Sequence, residues 1–284
     1  MSNLTLTIDA GNTRIKWGLF DDGGHLLEQG ACTHKELPLL QLPTAAHVII
    51  SNVAGNAIES ELKKRLLSHP KVTWLTSQAE TCGVTNGYEN PAQLGTDRWA
   101  AIIAAAHLYN SADLISCIVV NAGTAVTIDV VTFSAKPNEK PNVSALNINE
   151  LNVSIVNVNK LNVNLQAHFA GGVILPGLNL MQESLLQNTA NLDQKSKLVV
   201  SEDSAQLIAN NTKDAIYLGA LNAICGAIYN IAHLYKTPRI ILSGGNANII
   251  QSALTGDVTK HAVIVDNLVL QGLYLQSVSE FGFN

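Results

Sequence analysis

Apolar residues alternate with polar ones in two short runs near the start of the chain. The first run carries Leu4, Leu6 and Ile8, and the second carries Ile15, Trp17 and Leu19. A period of two is typical of β-strands, so the two runs predict a hairpin. The polar turn between them, Asp9-Ala-Gly-Asn-Thr13, begins with a carboxylate and contains a glycine that lets backbone N–H groups approach an anion. From this stretch alone two interpretations stay open: an ordinary turn, or a phosphate-binding turn in which Asp9 holds a metal ion.

The pattern then changes repeatedly between strand and helix. Residues 47–53 form an apolar run that predicts a buried strand, and residues 57–67 carry apolar residues at helical spacing. Pro70 ends this predicted helix, and a further strand is predicted over residues 72–75. Strands that alternate with helices in this way favour an α/β fold.

A second hairpin pattern, over residues 118–131, repeats the first. Its turn, Asn121-Ala-Gly-Thr-Ala125, follows an apolar strand and precedes an alternating one, as the turn after Asp9 does. Two such hairpins in one chain suggest two similar half-folds, each with a turn suited to phosphate. A chance resemblance between two short turns is the alternative.

An asparagine-rich stretch follows the second hairpin. Over residues 146–165, asparagine alternates with apolar and mostly β-branched residues. This alternation predicts a β-hairpin insertion over about residues 134–167, with low-complexity disorder as the alternative. We expect the insertion to lie away from the chemistry.

Further patterns predict elements in the last part of the chain. Glycines and a proline over residues 171–178 predict a fixed loop between a strand and a helix. Asn211 is predicted to cap a long helix with a wide apolar face. Residues 239–247 predict a strand, a Gly-Gly turn and a helix, and residues 266–281 predict a closing amphipathic helix.

Asp97 and Arg98 stand where a polar, turn-rich segment gives way to an alanine-rich helix. An acidic residue in the first turn of a helix is commonly a cap that complements the helix dipole. An arginine at the same end is electrostatically unfavourable, so the helix itself gives no reason for Arg98. The pair is therefore a candidate for chemistry, with a plain helix cap as the alternative.

The composition narrows the classes of function. Of the 284 residues, 47% are hydrophobic and 14% are charged, which is typical of a well-buried globular protein. A net charge of −5 without a basic run argues against nucleic acid or an anionic membrane as the partner. No apolar segment reaches the roughly 18 residues of a membrane span, and the first residues lack a basic segment followed by an apolar one. We therefore expect a cytoplasmic protein, and the four scattered cysteines predict neither a zinc site nor disulfides.

Several short motifs, in their order and spacing, resemble those of the type III pantothenate kinases, within the superfamily of acetate kinase, sugar kinases, heat-shock chaperones and actin. The motifs are Asp9-Ala-Gly-Asn-Thr13 with Lys16, Tyr88-x-Asn-Pro-x-x-Leu-Gly-x-Asp-Arg98, Asn121-Ala-Gly-Thr-Ala-x-Thr-x-Asp129, Gly171-Gly-x-Ile-x-Pro-Gly177, Thr189-Ala190 and Ser243-Gly-Gly245. The resemblance covers nearly the whole chain. It implies an α/β fold with two similar actin-like, ribonuclease H-like domains, residues 1–116 and 117–284, and a nucleotide cleft between them.

The resemblance implies an ATP-dependent phosphorylation of the primary hydroxyl of pantothenate, the first step of coenzyme A biosynthesis. It also implies Mg²⁺ bound with ATP, and a homodimer with the pantothenate pocket near the subunit interface. Two other functions stay open: a polyphosphate or nucleotide phosphohydrolase of the same superfamily, and a nucleotide-binding regulatory protein accessory to transcription. Asp9, Asp97 and Arg98 count against the regulator, because a protein without catalysis has no chemical need for them.

The resemblance also implies roles for individual residues. Asp97 is the implied general base, and Asp9 is the implied carboxylate beside the metal. The implied contacts to ATP and its phosphates are Asp9, Gly11, Asn12, Thr13, Lys16, Gly123, Thr124, Gly244 and Gly245. The implied pantothenate-binding residues are Tyr88, Gly95, Thr96, Asp97, Arg98 and Thr189. The Arg98 guanidinium suits a bidentate contact with the carboxylate of pantothenate.

The chain departs from the family's pattern at Asn121, where many members have an aspartate. An asparagine keeps an oxygen ligand but removes a negative charge from a region linked to the family's requirement for a monovalent cation. We therefore expect activity with an altered or absent dependence on potassium or ammonium. The asparagine-rich insertion is also longer than the connection typical of the family.

Overall fold

The computed structural model describes residues 4–108, 115–135, 165–188, 208–237, 239–256, 258 and 261–281. Its strands are β1 (Thr5–Ala10), β2 (Arg14–Phe20), β3 (Leu26–Thr33), β4 (His47–Asn52), β5 (Val72–Trp74), β6 (Glu80–Thr81), β7 (Val84–Asn86), β8 (Ser116–Ala122), β9 (Ala125–Ala135), β10 (Leu165–Pro176), β11 (Ile240–Ser243) and β12 (Ala262–Ile264). Its α-helices are α1 (Asn56–Arg65), α2 (Thr96–Leu108), α3 (Leu178–Asn188), α4 (Thr212–Tyr235), α5 (Ala247–Ala253) and α6 (Leu268–Phe281). Short 3-10 helices lie at Leu37–Leu39 and Pro91–Gln93.

Most of the predicted elements are confirmed. The two predicted hairpins are β1–β2 and β8–β9, and the predicted strand, helix and strand that follow the first hairpin are β4, α1 and β5. The predicted strand, Gly-Gly turn and helix over residues 239–247 are β11, its following turn and α5. The mixture of strands and helices confirms the α/β class.

The chain divides into two compact units. Unit 1 comprises Met1–Ile115, Val131–Gly171 and Asp266–Asn284, and unit 2 comprises Ser116–Val130 and Gly172–Val265. The predicted domain ranges, 1–116 and 117–284, stay a prediction. The compact units differ from that single division in two respects, because Val131–Gly171 and α6 both belong to unit 1 although they lie within the second predicted range.

The sheet of unit 1 has the order β3-β2-β1-β4-β5, with β1 antiparallel to β2 and parallel to β4. In the central strand β1, the apolar residues Leu6 and Ile8 and the polar residues Thr5 and Thr7 are all buried. The Thr7 hydroxyl donates a hydrogen bond of 3.2 Å to the Gly18 carbonyl, which satisfies this polar group inside the protein. Successive residues of a strand point to opposite faces, so both faces of the sheet are buried at β1, one with the apolar residues and the other with the threonines.

The closing helix α6 packs against α2 and against β1, β2 and β4. Every residue from Leu268 to Ser277 is buried, so the predicted amphipathic character is wrong for this part of the helix. The helices approach closely at Gly272, where a Cβ atom would lie 1.9 Å from the Ala100 carbonyl oxygen. Because α2 is itself buried from Arg98 to Ala106, the first turn of α2 is part of a rigidly packed helix.

In unit 2, β11 pairs in parallel with both β8 and β12, and the strand order is β12-β11-β8-β9-β10. The strands β9 and β10 each run through both units. In unit 1 the first part of β10 pairs in parallel with β7, with Phe169 opposite Asn86. This pairing places Phe169 close in space to the segment that precedes α2.

The predicted loop over residues 171–178 is wrong. The strand β10 continues to Pro176, and Gly177 alone separates it from α3. The β-branched residues Val173 and Ile174 favour extended backbone, and Pro176 is accommodated as the last residue of the strand. Gly171 and Gly172 therefore lie inside one continuous strand, and Pro176 ends it.

The predicted cap of α4 is confirmed. The Asn211 side chain accepts a hydrogen bond of 3.0 Å from the Asp214 N–H at the start of the helix. Among the residues that the structure describes, α4 is the one helix long and apolar enough to cross a membrane, a test that the core helix of a globular protein also passes. The predicted asparagine-rich hairpin at about residues 134–167 lies almost wholly outside the described residues and stays a prediction.

Candidate active site

The Asp9 carboxylate lies near the end of β1, flanked in the strand register by Lys16 of β2 and Ser51 of β4. Its Oδ1 atom is buried and accepts no hydrogen bond from the described residues. Burial and, second, the negative charge of Asp97 raise the pKa of Asp9 to about 7, against the opposing charge of Lys16. A buried carboxylate oxygen without a donor is unfavourable unless a ligand supplies a partner, and Mg²⁺ prefers such an oxygen. Asp9 therefore fits the role of a metal ligand.

The turn after β1 presents polar groups to solvent. Its Gly11 N–H donates a hydrogen bond of 3.1 Å to the Arg14 carbonyl, which closes the turn. Asn12 and Thr13 are exposed at the tip. A closed turn with exposed backbone and hydroxyl groups beside a carboxylate can bind a phosphate whose charge a metal ion neutralises.

Asp97 lies in the first turn of α2, and its Oδ1 atom accepts a hydrogen bond of 2.8 Å from the Arg98 N–H. Burial raises the pKa of Asp97, and the N–H and the charge of Arg98 oppose this shift. A Cβ atom on Gly95 would lie 2.7 Å from the same Oδ1, so glycine at this position leaves room for the carboxylate. A partly buried carboxylate with a raised pKa is suited to accept a proton from a substrate hydroxyl.

The Arg98 side chain is buried beside two neighbouring aromatic rings. Its guanidinium carbon lies 5.7 Å from the ring centroid of Tyr88 and 6.0 Å from that of Phe169, and the two centroids are 5.4 Å apart. The exposed fraction of Arg98 is 5%. A buried cation beside aromatic rings is suited to recognise a carboxylate.

The second turn, in unit 2, resembles the first but is shorter. The Gly123 N–H donates a hydrogen bond of 3.0 Å to the Ala125 carbonyl, and Thr124 is exposed. The Thr124 carbonyl accepts a hydrogen bond of 2.9 Å from the Gly177 N–H. A Cβ atom on Gly177 would lie 2.3 Å from the Gly123 carbonyl oxygen, so the start of α3 packs closely on this turn.

A glycine turn after β11 lies beside the end of β8, from which the second turn begins. Ser243 is paired with Asn121 in the parallel register of β11 and β8. Gly244 has a φ of 95°, and a Cβ atom there would lie 2.6 Å from the Ala122 carbonyl oxygen. Gly245 is exposed at the turn. Only glycine fits Gly244, because both its backbone conformation and its close contact exclude a side chain.

Within unit 1 the structure brings together several predicted site residues, namely Asp9, Lys16, Tyr88, Gly95, Thr96, Asp97 and Arg98. Within unit 2 it groups Asn121, Gly123, Thr124, Gly244 and Gly245 at the adjacent ends of β8 and β11. Thr189 lies outside the described residues. The functional roles of these residues stay predictions.

Two residues of the unit 1 site were not predicted. The Ser51 hydroxyl lies 2.8 Å from the Thr96 hydroxyl, so a hydrogen bond joins β4 to the first turn of α2. Ser51 directly follows the apolar run of a predicted strand, and a hydroxyl residue at that place is a sequence signal that could have been noticed. Phe169 reaches Arg98 through the pairing of β10 with β7, for which the sequence gives no local signal.

The chain contains two hairpins with Ala-Gly turns, one in each α/β unit, and a buried carboxylate at the base of one turn. Two α/β units that each carry such a turn are typical of the actin-like class of two-domain proteins, in agreement with the predicted fold class, while the nucleotide cleft stays a prediction.

Comparison with known proteins identifies the family. The sequence model of the type III pantothenate kinases matches residues 5–136 and 161–234. The type III pantothenate kinase of Nitrosospira multiformis is 36% identical over an alignment 284 positions long, which covers 96% of this chain and 90% of the relative. That of Aromatoleum aromaticum is 39% identical over 282 residues, covering 95% of this chain and 96% of the relative. The chain belongs to the type III pantothenate kinase family.

A solved structure supports the fold. A conserved putative Baf family transcriptional activator from Campylobacter jejuni superposes with a TM-score of 0.55, covering 98% of this chain and 99% of the other at 18% sequence identity. At this identity the likeness shows the fold alone.

Proposed function

We propose that this chain transfers the terminal phosphate of ATP to the primary hydroxyl of pantothenate, through the residues described above. Membership of the type III pantothenate kinase family supports this activity in coenzyme A biosynthesis. The observation that carries the residue assignment is the pair of partly buried carboxylates, Asp9 and Asp97, whose pKa values are both raised.

The first turn binds the phosphates of ATP. The Gly11 backbone, the exposed Asn12 and Thr13, and the Lys16 ammonium supply the donors and the positive charge. Asp9 holds Mg²⁺, which would neutralise the phosphate charge when bound. Its buried and otherwise unsatisfied Oδ1 atom supports this assignment.

Asp97 accepts the proton of the pantothenate hydroxyl as the new bond to phosphorus forms. Its raised pKa makes it a better proton acceptor than an ordinary carboxylate, and general-base catalysis contributes about a hundred- to ten-thousandfold. Gly95 leaves the space in which this carboxylate lies.

Arg98 binds the carboxylate of pantothenate. The Tyr88 hydroxyl accepts a hydrogen bond from the guanidinium, the rings of Tyr88 and Phe169 lie beside it, and Thr96 is fixed by its hydrogen bond to Ser51. The buried arginine favours pantothenate over water alone as the phosphate acceptor, because a phosphohydrolase has no carboxylate to place there. Thr189 stays a proposed contact from the family resemblance.

In unit 2, Gly123, Thr124, Gly244 and Gly245 are further proposed contacts to the nucleotide. Asn121 offers a neutral amide oxygen where many relatives have a carboxylate, so it is a weaker ligand for K⁺ or NH₄⁺. We therefore propose activity with an altered or absent dependence on a monovalent cation.

Exposed apolar side chains in unit 2 support a homodimer. Val173 and Ile174 of β10 are 42% and 63% exposed, and Leu180 of α3 is 44% exposed. In α4, a Cβ atom on Gly219 or Gly226 would meet nothing within 4 Å, which leaves room for close approach of another helix. Exposed apolar side chains can mark an interaction surface, and a second copy of the chain is the proposed partner. A cytoplasmic location, without a nucleic-acid or membrane partner, stays a prediction from composition.

A coupled assay of ADP release with MgATP, run with and without pantothenate, tests the proposed function. Release that depends on pantothenate supports the kinase. Equal release without pantothenate would indicate a phosphohydrolase, and no release under either condition would indicate the regulatory alternative.

A further inference from the structure

The Gly11 carbonyl, in the phosphate turn after β1, is held by a residue outside the motifs of the family. The Nε2 atom of His34 lies 2.9 Å from this carbonyl oxygen. Since a carbonyl oxygen can only accept a hydrogen bond, Nε2 carries the proton and is the donor. The turn is thus held from outside as well as by its own hydrogen bond to Arg14.

The position of His34 is itself fixed. It directly follows β3, whose last residue, Thr33, is paired with Arg14 of β2 at the edge of the turn. The Glu36 carboxylate accepts hydrogen bonds from the Thr33 N–H at 2.7 Å and from the Thr33 hydroxyl at 2.9 Å. The Glu36 N–H in turn donates to the Thr33 carbonyl at 3.1 Å. These bonds fix the backbone from which the imidazole reaches the turn.

The hydrogen bond to Gly11 has a consequence for the next backbone N–H. The Gly11 carbonyl and the Asn12 N–H belong to one peptide unit, and the described residues contain no cis peptide bond. In a planar trans peptide the C=O and N–H groups point in opposite directions. Holding the carbonyl toward His34 therefore aims the Asn12 N–H toward the opposite side of the turn.

We propose that His34 is a positioning residue for nucleotide binding: its Nε2–H group holds the Gly11 carbonyl so that the Asn12 N–H points at a phosphate of ATP. The inference rests on the proposed function only in that this turn binds ATP. Without the imidazole the Gly11–Asn12 peptide can rotate. Nucleotide binding then has to orient the Asn12 N–H as well, and this cost lowers the affinity for ATP.

The test compares the unmodified protein with His34→Ala and His34→Gln. The glutamine amide retains an N–H donor, whereas alanine removes it. His25→Ala is the matched control, because His25 is an exposed histidine of the same unit that bonds Asp21 in the turn between β2 and β3. The measurements are the dissociation constant of the magnesium complex of a non-hydrolysable ATP analogue by calorimetry, the KM values for ATP and pantothenate, and the midpoint of thermal unfolding.

We expect His34→Ala to weaken binding of the analogue about 3- to 10-fold, the effect of one lost hydrogen bond. The KM for ATP should rise in parallel, the KM for pantothenate should change by less than about twofold, and His34→Gln should restore most of the affinity. His25→Ala should leave all four quantities unchanged.

Unchanged affinity for the analogue in His34→Ala overturns the proposal. So does a parallel loss of pantothenate affinity and thermal stability that His34→Gln does not restore, since that result indicates a purely structural role. If the unmodified protein binds the analogue and responds to His34→Ala but releases no ADP with pantothenate, the kinase function fails and the positioning role stands. If the unmodified protein does not bind the analogue, the positioning role fails as well.

Discussion

Arg98 donates a hydrogen bond of 2.9 Å from Nη1 to the Tyr88 hydroxyl, while its guanidinium lies against the rings of Tyr88 and Phe169. The hydroxyl fixes one edge of the guanidinium, and the two rings pack beside it on one side. A guanidinium oriented in this way can present a planar pair of donors to a carboxylate, which an ammonium group cannot reproduce.

Arg98→Lys should therefore raise the KM for pantothenate by about 10-fold or more, because a charge-assisted hydrogen bond is lost and the remaining one is poorly aligned. The KM for ATP should stay within about twofold. Steady-state kinetics with each substrate varied in turn measures both values. Tyr88→Phe is the control, since it keeps the ring and removes only the hydroxyl, and its effect should be smaller. An unchanged KM for pantothenate in Arg98→Lys would remove Arg98 from substrate binding.

Asp9→Asn should abolish turnover and also stabilise the protein at pH 8. Burial raises the pKa of Asp9 from the ordinary 3.8 to about 7, so the folded state favours the protonated carboxyl. The stability that this carboxyl provides at low pH is lost as the pH rises from about 4 to about 7. Asparagine stays neutral and avoids this loss, so the melting temperature of the variant should exceed that of the unmodified protein at pH 8. The difference should shrink at pH 5.

Calorimetry at pH 5 and pH 8, together with the ADP-release assay at limiting magnesium, measures these effects. Asp22→Asn is a suitable control in the same unit, because Asp22 lies exposed in the turn after β2. Normal turnover of Asp9→Asn at limiting magnesium would contradict the metal-binding role. A lower melting temperature at pH 8 would contradict the account of its burial.

Asn121→Asp should introduce a dependence on monovalent cations. The substitution introduces the carboxylate that the family resemblance implies at the end of β8, and a negative oxygen ligand binds K⁺ or NH₄⁺ more strongly than an amide oxygen. Turnover of the variant should rise several-fold on titration with potassium chloride, whereas turnover of the unmodified protein should change little. Asn56→Asp, at the exposed start of α1, controls for the added charge. If potassium or ammonium raises the unmodified protein from near zero activity, the prediction is wrong.

Ile174→Glu should convert the proposed dimer to a monomer. Ile174 is 63% exposed in unit 2, and a charge at an apolar subunit interface would be desolvated without a partner. Size-exclusion chromatography with light scattering measures the mass. Leu67→Glu is the matched control, because Leu67 is 85% exposed in unit 1 and is not one of the side chains proposed for the interface. A monomeric unmodified protein, or a dimeric Ile174→Glu variant, would refute the proposed interface.

The local pattern predicted the elements whose signals lie within a few residues of each other. The hairpin β1–β2, the cap of α4 and the glycine turn after β11 all depend on short-range alternation or on one residue type. Asp9, Asp97 and Arg98 were predicted for a related reason, because each is a charged residue at the end of an apolar element.

Features that depend on pairing between distant segments could not be predicted. Ser51 reaches the site because β4 pairs with β1, and Phe169 reaches it because β10 pairs with β7. The burial of α6 on all sides depends on its contact with α2 through Gly272, which its own apolar pattern does not specify. His34 likewise contacts Gly11 only because β3 returns beside β2.

The central claim is that Asp97 acts as the base when this chain phosphorylates pantothenate, and the amount of phosphopantothenate formed tests it most directly. Mass spectrometry would follow the product formed from MgATP and pantothenate by the unmodified protein and by Asp97→Asn. We expect phosphopantothenate from the unmodified protein, and at least about a hundredfold slower formation by a folded Asp97→Asn variant. No phosphopantothenate from the unmodified protein, or near-normal formation by Asp97→Asn, would contradict the account.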